Sequence, residues 1–410
     1  MAAVNPLAID LWLLAAWLLT DVLATWGVWR YRRTLAMIAP SPQTPRVAIL
    51  IAIKGVSETT SRFLDGLCHQ RYPVYRLVFA LESSSDPVLP LLEAMQQRLA
   101  GGRAVDIVIA GQAIQRAQKV HNLLAALRTL QDDDRIVVFA DADILPDEAW
   151  LSHLIRPVAH DGYAASTGYR WQLPIDRRWP SLIVAAADLS IATAVRSARW
   201  NVCWGGSLAL DRTALNQLDL PSVWNRAASD DLTLTAALRA HGLRINAPLH
   251  VLVPSPAAYD WSRLFSFARR QYLLVRTYSP RHWLLAGWTL CLPAVAATIA
   301  VRETCGGRWW ASSFILASMA LLQVRLLIRR RIANLLLPQA EIPAAGATLT
   351  FARWAWPLIH LVHCGAFLAS AAGQRFTWAG IHYRLNGRSV SVEDRAGKAW
   401  EKPCKYPEND

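Results

Sequence analysis

The sequence lacks the marks of a disulfide-stapled, repeat or nucleic-acid-binding protein. Its six cysteines include no Cys-x-x-Cys pair, so free thiols in a reducing compartment are expected. There is no internal repeat and no low-complexity linker. The net charge of +13 is spread along the chain rather than gathered in one segment. We therefore expect no nucleic-acid partner, and attribute the charge to the flanks of membrane segments and to attraction by anionic lipid.

In contrast, the chain is rich in apolar residues and tryptophan, with a mean hydropathy of +0.20 and 19 tryptophans. The apolar run Leu11–Trp29 is long enough to span a bilayer. A signal peptide is the alternative, but no basic stretch precedes the run and no clear cleavage site follows it. The sequence therefore favours an uncleaved anchor. The run leads into Arg30, Arg32 and Arg33, which predicts that the next domain is cytoplasmic.

Three more apolar segments follow near the C-terminus: Trp283–Val301, Trp309–Ile328 and Trp354–Ala372. The arginines at 329–331 return the chain to the cytoplasm after the second of these. The third contains Pro357, His360 and His363, and it either spans the membrane or is re-entrant. Without a third ligand, the two histidines indicate a structural or interfacial role rather than a metal site.

The number of C-terminal crossings is in conflict with the charge pattern. Three spans in total leave the C-terminal tail inside, and four place it outside. Arg375, Arg384 and Arg388 follow the last segment and favour the inside. Either Trp354–Ala372 does not cross, or Ile332–Thr350 also enters the membrane.

Between the first and second apolar runs, strand-like and helix-like patterns alternate, which predicts an α/β domain with a mostly parallel sheet. Four runs have the length and composition of buried strands: Val47–Ile53, Leu77–Leu81, Val105–Ile109 and Ile136–Ala140. Three helical patterns lie between them: Thr60–Gln70, Val88–Leu99 and Val120–Leu130. The first strand is almost continuously apolar, as a parallel strand covered on both faces should be.

Two aspartates follow the fourth strand directly, in the sequence Asp141-Ala142-Asp143. Ligands of α/β folds bind beyond the carboxyl ends of the strands, and side chains two apart in an extended segment point the same way. Asp141 and Asp143 are therefore candidates to hold one hard divalent cation, Mg²⁺ or Mn²⁺, against a diphosphate. An ordinary solvated turn is the alternative.

Polar residues also follow the first and second strands. Lys54 and Gly55 supply a cation and a flexible position where a nucleotide can approach closely. Glu82 begins a polar stretch that ends in Asp86 and is able to hold a ribose or a base by hydrogen bonds. Asp86 is equally typical of a helix cap.

Further candidates stand at helix starts and in a glycine pair. Lys119 and Asn122 open the helix before the fourth strand, and Gly205-Gly206 allow either a close ligand or a tight turn. Asp230 and Asp231 open a later helix, as capping acids or as a carboxylate that takes a proton from an acceptor hydroxyl.

An amphipathic helix is predicted over Trp261–Tyr278, with apolar side chains at helical spacing and arginines between them. Such a helix can lie in the membrane surface. Its cations could also neutralise a leaving diphosphate.

Taken in order, these segments resemble the membrane-anchored GT-A glycosyltransferases, in particular the ceramide glucosyltransferase-like branch that includes bacterial hopanoid-associated glycosyltransferases. The similar segments are Val47–Gly55, Phe79–Pro87, Gln118–Leu123, Asp141–Asp143, Thr167–Arg170, Trp204–Ser207 and Ser229–Asp231. The stretch Thr377–Arg384 is similar to a Trp-x-Gly-x-x-Tyr-Arg ending common in these chains.

The resemblance implies a GT-A domain and assigns roles to residues. Donor and nucleotide binding falls to Lys54, Gly55, Glu82, Lys119, Asn122, Asp141, Gly205 and Gly206. Metal binding falls to Asp143 and Asp141, and the catalytic base is Asp231, with Asp230 the next candidate. Diphosphate or acceptor binding is expected of Arg269, Arg270, Gln271, Tyr272 and Arg276.

The chain departs from the family pattern at two places. The (Gln/Arg)-x-x-Arg-Trp signature has no complete match, because aligning Gln271-Tyr272 with Arg-Trp leaves Ala268 in the first position. Glu82 stands where a nucleotide-contacting aspartate is common, so it either does the same work with one more methylene or changes the donor preference.

The sequence thus predicts an inverting glycosyltransferase that moves a hexose from a UDP-sugar to a hydroxyl of a membrane lipid, at a bacterial inner membrane. The expected division is an anchor at 1–33, a cytoplasmic GT-A domain at 34–260, an interfacial helix at 261–282, a transmembrane or re-entrant region at 283–374 and a tail at 375–410. The alternatives are a polyprenyl-phosphate sugar transferase, a processive polysaccharide synthase and an inactive membrane scaffold.

Overall fold

A computed structural model describes residues 6–35, 43–194, 197 and 200–395. The chain forms two compact units. The sheet unit comprises Ser41–Thr167, Val202–Asn246 and Gln374–Asp410, and the helical unit comprises Met1–Pro40, Gly168–Asn201 and Ala247–Gly373. Part of the predicted tail, residues 396–410, lies outside the described residues. The functional division predicted from the sequence stays a prediction.

The strands are numbered in chain order. They are β1 Val47–Ala52, β2 Tyr75–Leu81, β3 Val105–Ile109, β4 Ile136–Asp141, β5 Ala165–Thr167, β6 Tyr169–Pro174, β7 Ser207–Asp211, β8 Ile245–Asn246, β9 Leu252–Ala257, β10 Arg375–Trp378, β11 Ile381–Asn386 and β12 Ser389–Arg395.

The α-helices are numbered in the same way. They are α1 Pro6–Thr34, α2 Thr60–Cys68, α3 Leu89–Leu99, α4 Gln118–Leu127, α5 Trp150–Ala159, α6 Trp179–Ala192, α7 Arg212–Gln217, α8 Leu220–Val223, α9 Asp230–Ala240, α10 Trp261–Tyr278, α11 Pro280–Cys305, α12 Ser312–Leu336 and α13 Ile342–Ala371. Short 3₁₀ turns at Trp309–Ala311 and Gln339–Glu341 precede the last two helices.

The sheet unit is built on a seven-stranded sheet with the order β3-β2-β1-β4-β7-β5-β8. The first four of these strands are parallel, whereas β7 runs antiparallel to both β4 and β5. Every residue of β2 is buried, as is nearly all of β1, because helices of the α/β pattern cover a parallel sheet on both faces. The predicted α/β fold with a mostly parallel sheet is confirmed.

A buried arginine anchors the start of β2. Arg76 is 1% exposed, and its guanidinium Nη2 lies 2.7 Å from Oδ2 of the fully buried Asp134. A second nitrogen, Nη1, lies 2.6 Å from Oδ2 of Asp106 in β3. Since an unpaired buried charge is costly, this cluster ties β2, β3 and the turn before β4 together.

A small antiparallel sheet, β10-β11-β12, also belongs to the sheet unit. The turn between β10 and β11 pairs Trp378 with Ile381. Its two central residues, Ala379 and Gly380, have φ of 50° and 74°. Positive φ at both positions is the geometry of the tight I′ hairpin turn.

The helical unit contains four helices long and apolar enough to cross a membrane. One is N-terminal, at Leu7–Thr34, and three follow at Pro280–Cys305, Trp309–Leu336 and Gln339–Ala371. The predicted membrane anchors are confirmed as apolar helices. Residues 332–350 comprise the end of α12, the 3₁₀ turn Gln339–Glu341 and the start of α13, and their entry into the membrane stays a prediction.

A charged pair joins two of the apolar helices. Asp21 of α1 and Arg325 of α12 meet at 2.7 Å, and the same guanidinium donates to the hydroxyl of Thr25 at 3.2 Å. Such pairing is the usual way for a charge to reside among apolar helices. It fastens α1 to α12.

Candidate active site

The carboxyl ends of three adjacent parallel strands carry the predicted donor residues. Lys54 and Gly55 follow β1, Glu82 follows β2 and Asp141 ends β4. Because β2, β1 and β4 are neighbours in that order, these residues lie along one edge of the sheet. This is the edge at which α/β folds bind ligands.

Lys119 is the centre of a charged cluster at this edge. Its ammonium Nζ lies 2.7 Å from Oδ1 of Asp141 and 3.1 Å from Oδ2 of Asp230. Burial alone would lower the pKa of Lys119, but the carboxylates of Asp141, Asp230 and Asp231 outweigh it and raise that pKa above its ordinary value. Lys119 therefore stays cationic and joins three segments that are far apart in sequence.

Asp230 is the most buried acid of the cluster, at 5% exposure. Burial raises its pKa to about 6, and Lys119 opposes this shift while Asp231 and Asp141 reinforce it. Three carboxylates thus share one ammonium, which leaves the cluster with an excess of negative charge. An excess of this kind suits a site that receives a cation.

Asp231 is half-buried in the first turn of α9. Its Oδ1 accepts hydrogen bonds from the Ser229 hydroxyl at 2.5 Å and from the Leu232 amide at 2.7 Å. Its Oδ2 accepts from the Gly205 amide at 3.2 Å. The carboxylate is therefore fixed in place by the helix start and by the glycine pair.

The glycine pair allows the acids to approach the backbone. A Cβ at position 205 would lie 2.2 Å from Oδ2 of Asp230 and 3.0 Å from Nζ of Lys119. A Cβ at position 206 would lie 2.3 Å from the Trp204 ring. The carbonyl of Gly206 also accepts a hydrogen bond from the Asp141 amide. Only glycine at position 205 leaves room for the buried carboxylate.

Two of the predicted donor residues pair with each other. Lys54 Nζ lies 3.2 Å from Oε2 of Glu82, whose side chain is 12% exposed. Gly55 has φ of 70°, so the flexible residue after β1 is needed for the turn. Its amide donates to Asp86 at 2.9 Å, and Asp86 also accepts from the Val88 amide at the start of α3. Asp86 therefore ties the turn after β1 to Val88, the residue before α3.

Asn122 is buried, and both of its polar atoms bond within the protein. Its Nδ2 donates to the carbonyl of Ala80 in β2 at 3.1 Å, and its Oδ1 accepts from Gln118 at 2.8 Å. In this structure Asn122 fastens α4 to β2. Asp143 is exposed two residues beyond Asp141.

The residues predicted for diphosphate or acceptor binding lie on α10 in the helical unit. Arg269 donates to the carbonyl of Ala369 at 3.2 Å, and Arg276 donates to the carbonyls of Ala371 and Gly373. Ala369 and Ala371 carry carbonyls of the last turn of α13, and Gly373 follows the helix; cations are favourable at this end of a helix. Both arginines thus stabilise the end of α13.

Three other residues of the same set lie nearby on α10. Tyr272 shares a hydrogen bond of 2.8 Å with Nδ1 of His363, in agreement with a structural role for that histidine. The guanidinium of Arg270 lies 5.6 Å from the centre of the Phe267 ring, and Gln271 is half-buried.

The C-terminal sheet contacts this site through Ala379, Tyr383 and Arg395, and no residue of this sheet was predicted from the sequence to take part in it. The only sequence signal was the Trp-x-Gly-x-x-Tyr-Arg ending at 378–384. The apolar pattern of a strand predicts that one of its faces is buried. It does not predict which distant segment packs against that face, because this depends on the path of the rest of the chain.

The carboxylates, the ammonium and the glycine pair thus lie together at the carboxyl edge of the parallel strands, where α/β folds bind ligands. Residues 11–390 match glycosyl transferase family 21, and the chain belongs to this family. None of the curated protein sequences matches the chain.

Several solved structures are similar in fold. One is mannosyltransferase PcManGT from Pyrobaculum calidifontis in complex with GDP-Man and Mn²⁺, with 20% identity, a TM-score of 0.49, and coverage of 89% of this chain and 97% of that one. Another is glucosyl-3-phosphoglycerate synthase from Mycobacterium tuberculosis, with 16% identity, a TM-score of 0.38, and coverage of 57% and 80%.

The family match confirms two predictions from the sequence. The protein is a glycosyltransferase, and its α/β domain with four apolar helices is a membrane-anchored GT-A architecture. The roles of individual residues stay predictions.

Proposed function

We propose that the protein is an inverting glycosyltransferase that moves a hexose from a UDP-sugar to a hydroxyl of a membrane lipid of the ceramide or hopanoid type. The observation that carries this proposal is the cluster around Lys119. It gathers Asp141, Asp230 and Asp231 from the end of β4 and the start of α9. A glycosyl transfer needs both parts: charge to hold a diphosphate and a carboxylate to receive a proton.

Asp141 and Asp143 suit Mg²⁺ or Mn²⁺, since both metals prefer carboxylate oxygens. Lys119 bonds Oδ1 of Asp141, and Asp143 is exposed. Within the described residues, no group of three or more His, Cys, Asp or Glu is arranged to hold a metal. The donor diphosphate therefore has to complete the ligand set. When bound, the cation would neutralise charge on the diphosphate.

Asp231 is the proposed base. It is more accessible than Asp230, and its three hydrogen-bond donors hold the carboxylate in one orientation. Asp231 takes the proton from the lipid hydroxyl, and the resulting oxygen attacks the anomeric carbon. The bond from this carbon to the diphosphate breaks, and its electron pair leaves with UDP. A single displacement of this kind inverts the anomeric configuration.

The membrane segments support a lipid acceptor. The described part of the chain carries four long apolar helices, and α10 is amphipathic, with Leu264 and Ala268 buried while Trp261 and Phe265 are exposed. Exposed aromatic side chains on such a helix favour the membrane interface. Arg32 and Arg33, in the last turn of α1, favour a cytoplasmic sheet unit, which suits a bacterial inner membrane.

The test is sugar transfer by the full chain in lipid nanodiscs, with radiolabelled UDP-glucose, UDP-N-acetylglucosamine and GDP-mannose offered with Mn²⁺ or Mg²⁺. The acceptors are ceramide, hopanoid and polyprenyl phosphate, and products are identified by mass spectrometry. We expect one sugar per lipid from a UDP-sugar. A ladder of products would indicate a polysaccharide synthase, and labelled polyprenyl phosphate would indicate the other enzymatic alternative.

Variants of the acids identify the base. Asp231→Asn should remove nearly all transfer while UDP binding by calorimetry stays close to that of the wild type. Asp132→Asn, at an exposed position of the sheet unit, is the matched control and should be fully active. Full activity of Asp231→Asn would exclude it as the base, and Asp230→Asn would then be examined.

A further inference from the structure

The C-terminal sheet meets two of the predicted donor residues. The tight turn between β10 and β11 presents the carbonyl of Ala379 to Nζ of Lys54 at 3.1 Å. The same ammonium lies 3.2 Å from Oε2 of Glu82. One oxygen of the Glu82 carboxylate is therefore held by a cation whose own position depends on the hairpin.

Arg395, at the end of β12, holds the other oxygen. Its Nη1 donates to Oε1 of Glu82, and its Nη2 donates to the Ala113 carbonyl at 2.7 Å and to Oε1 of Gln118 at 3.0 Å. The side chains of Arg395 and Glu82 are 21% and 12% exposed. A planar guanidinium with several fixed donors restricts the orientation of a carboxylate more than a flexible ammonium does.

The same sheet fixes the start of α4. The hydroxyl of Tyr383, a residue only 1% exposed, accepts a hydrogen bond of 3.1 Å from the Gln118 amide. Gln118 is the first residue of α4, and the next residue is Lys119 of the charged cluster. Backbone hydrogen bonds from Val390 to Arg226 and from Val392 to Ile114 complete the attachment.

We propose that the C-terminal sheet is a wall of the donor-nucleoside site and that Arg395 is its positioning residue. Glu82, held by Lys54 on one oxygen and Arg395 on the other, keeps free lone pairs in a fixed direction. Those lone pairs accept hydrogen bonds from the hydroxyls or N–H groups of the donor nucleoside. This inference rests on the proposed use of a nucleotide sugar, and it adds a residue more than 300 positions after Glu82 to the donor site.

The geometry assigns Arg395 to donor affinity rather than to the chemical step. Arg395 contacts Glu82 and Gln118, while Asp141 and Asp230 are paired with Lys119. Pre-ordering a binding group reduces the entropy lost when the ligand binds. Loss of Arg395 should therefore raise KM for the donor and leave kcat nearly unchanged.

The first experiment is calorimetric titration of the full chain in nanodiscs with UDP in the presence of Mn²⁺. Arg395→Ala should weaken binding by about 10- to 100-fold, the usual effect of losing a hydrogen bond to a charged group. Arg395→Lys should restore part of the affinity, since lysine keeps the positive charge but lacks the planar set of guanidinium N–H donors. Arg384→Ala is the control on the same sheet, because Arg384 is 48% exposed and faces Glu393, and it should bind UDP like the wild type.

A double variant tests whether Arg395 acts through Glu82. Arg395→Ala combined with Glu82→Ala should bind UDP no more weakly than Glu82→Ala alone, because the two residues form one unit. Additive losses, or wild-type UDP affinity in Arg395→Ala, would overturn the inference while leaving the proposed function standing. Failure of the wild type to bind either UDP or GDP with Mn²⁺ would overturn the proposed function and the inference with it. If Arg395→Ala does not fold, Arg395→Lys and Glu82→Gln provide the comparison.

Discussion

At the scale of single residues, the three carboxylates around Lys119 repel one another. A cation bound with the donor would reduce this repulsion. Asp230 is buried beside two other acids, and one ammonium serves all three. In the absence of a cation this arrangement costs folding free energy. Residues selected for binding commonly carry such a cost.

Asp230→Asn should stabilise the metal-free protein at neutral pH and impair its activity. The pKa of Asp230 is raised from 3.8 to about 6 in the folded state, so the folded protein binds this proton more tightly than the unfolded chain. The stabilisation of the folded state by this proton on Asp230 is complete below about pH 4 and is lost as the pH rises through about 6. The gain from Asp230→Asn should therefore grow from pH 4 to pH 7, by up to roughly 3 kcal/mol.

Thermal unfolding in detergent with a chelator present, across this pH range, provides the measurement. Asp132→Asn, at an exposed site, is the control and should follow the wild type at every pH. A stability gain that does not change with pH would show that Asp230 does not titrate in this range.

Gly205→Ala should disable the site by crowding. The added Cβ would lie 2.2 Å from Oδ2 of Asp230, so the carboxylate or the loop must move. Overpacking of this kind costs roughly 1–3 kcal/mol, and displacement of the cluster should reduce kcat/KM by about 100-fold.

Gly102→Ala supplies the matched control, since its Cβ would meet only the Leu99 carbonyl at 3.8 Å. Kinetics with the donor and thermal unfolding distinguish the two variants. Wild-type kcat/KM in Gly205→Ala would show that the close approach of Asp230 to the backbone is not needed for transfer.

At the scale of elements, the sheet is held at its amino edge by buried charge. Arg76 joins β2 to β3 and to the turn before β4 through Asp106 and Asp134. Removing one partner of a buried ion pair leaves an uncompensated charge. The cluster therefore ties the starts of these strands together.

Arg76→Ala should destabilise the protein by about 3–5 kcal/mol, because Asp134 would be left buried without its main partner. Arg71→Ala is the comparison, since Arg71 and Glu148 are 74% and 50% exposed and an exposed pair contributes about 0–1 kcal/mol. Chemical unfolding in detergent measures both. An equal decrease in the free energy of unfolding for the two variants would contradict the claim that the buried ion pair contributes more to stability than the exposed one.

Elements with strong local patterns were predicted well. The sequence predicted the four parallel strands, and β3 has the predicted bounds, 105–109. The helix α10 also has its predicted bounds, 261–278. The antiparallel placement of β7 between β4 and β5 was not predicted, because a short apolar run of five residues does not encode its direction. Strand direction follows from the connection, not from the residues of the strand.

At the scale of the whole molecule, the C-terminal sheet constrains membrane topology. Residues 374–395 belong to the same compact unit as β1 and β2, so both must lie on one side of the membrane. We therefore predict an even number of crossings between Asn246 and Gln374, the two residues at which the chain leaves and re-enters this unit. Three apolar helices occupy that interval, so the prediction is that not all three cross.

We predict that α11 and α12 cross and that the helix Gln339–Ala371 does not. Its best window has a mean hydropathy of 1.2, against 2.0 and 1.8 for the other two, and it contains His360 and His363. Single cysteines at positions 102, 307 and 374 of a cysteine-free protein report this, by labelling with a membrane-impermeant maleimide in intact and permeabilised cells.

Position 307, between α11 and α12, should label in intact cells. Positions 102 and 374 should label only after permeabilisation. Labelling of position 374 in intact cells would contradict a shared side for the C-terminal sheet and the main sheet.

The sequence by itself determined the elements whose signal is local: apolar runs with basic flanks, strands of β-branched residues, and acids at strand ends. These elements, and the family resemblance based on them, predicted the α/β class, the membrane anchors and the candidate metal site at Asp141-Ala142-Asp143. Such signals are local because periodicity and burial act on neighbouring residues.

Only the tertiary structure decided which of these residues meet. It placed Lys119 between Asp141 and Asp230, and it brought Arg395 to Glu82. Lys119 is 22 positions from Asp141 and 111 from Asp230, and Glu82 is 313 positions from Arg395. Which partners meet depends on the path of the whole chain and on the cost of leaving a buried charge unpaired. No pattern within a short window contains that information.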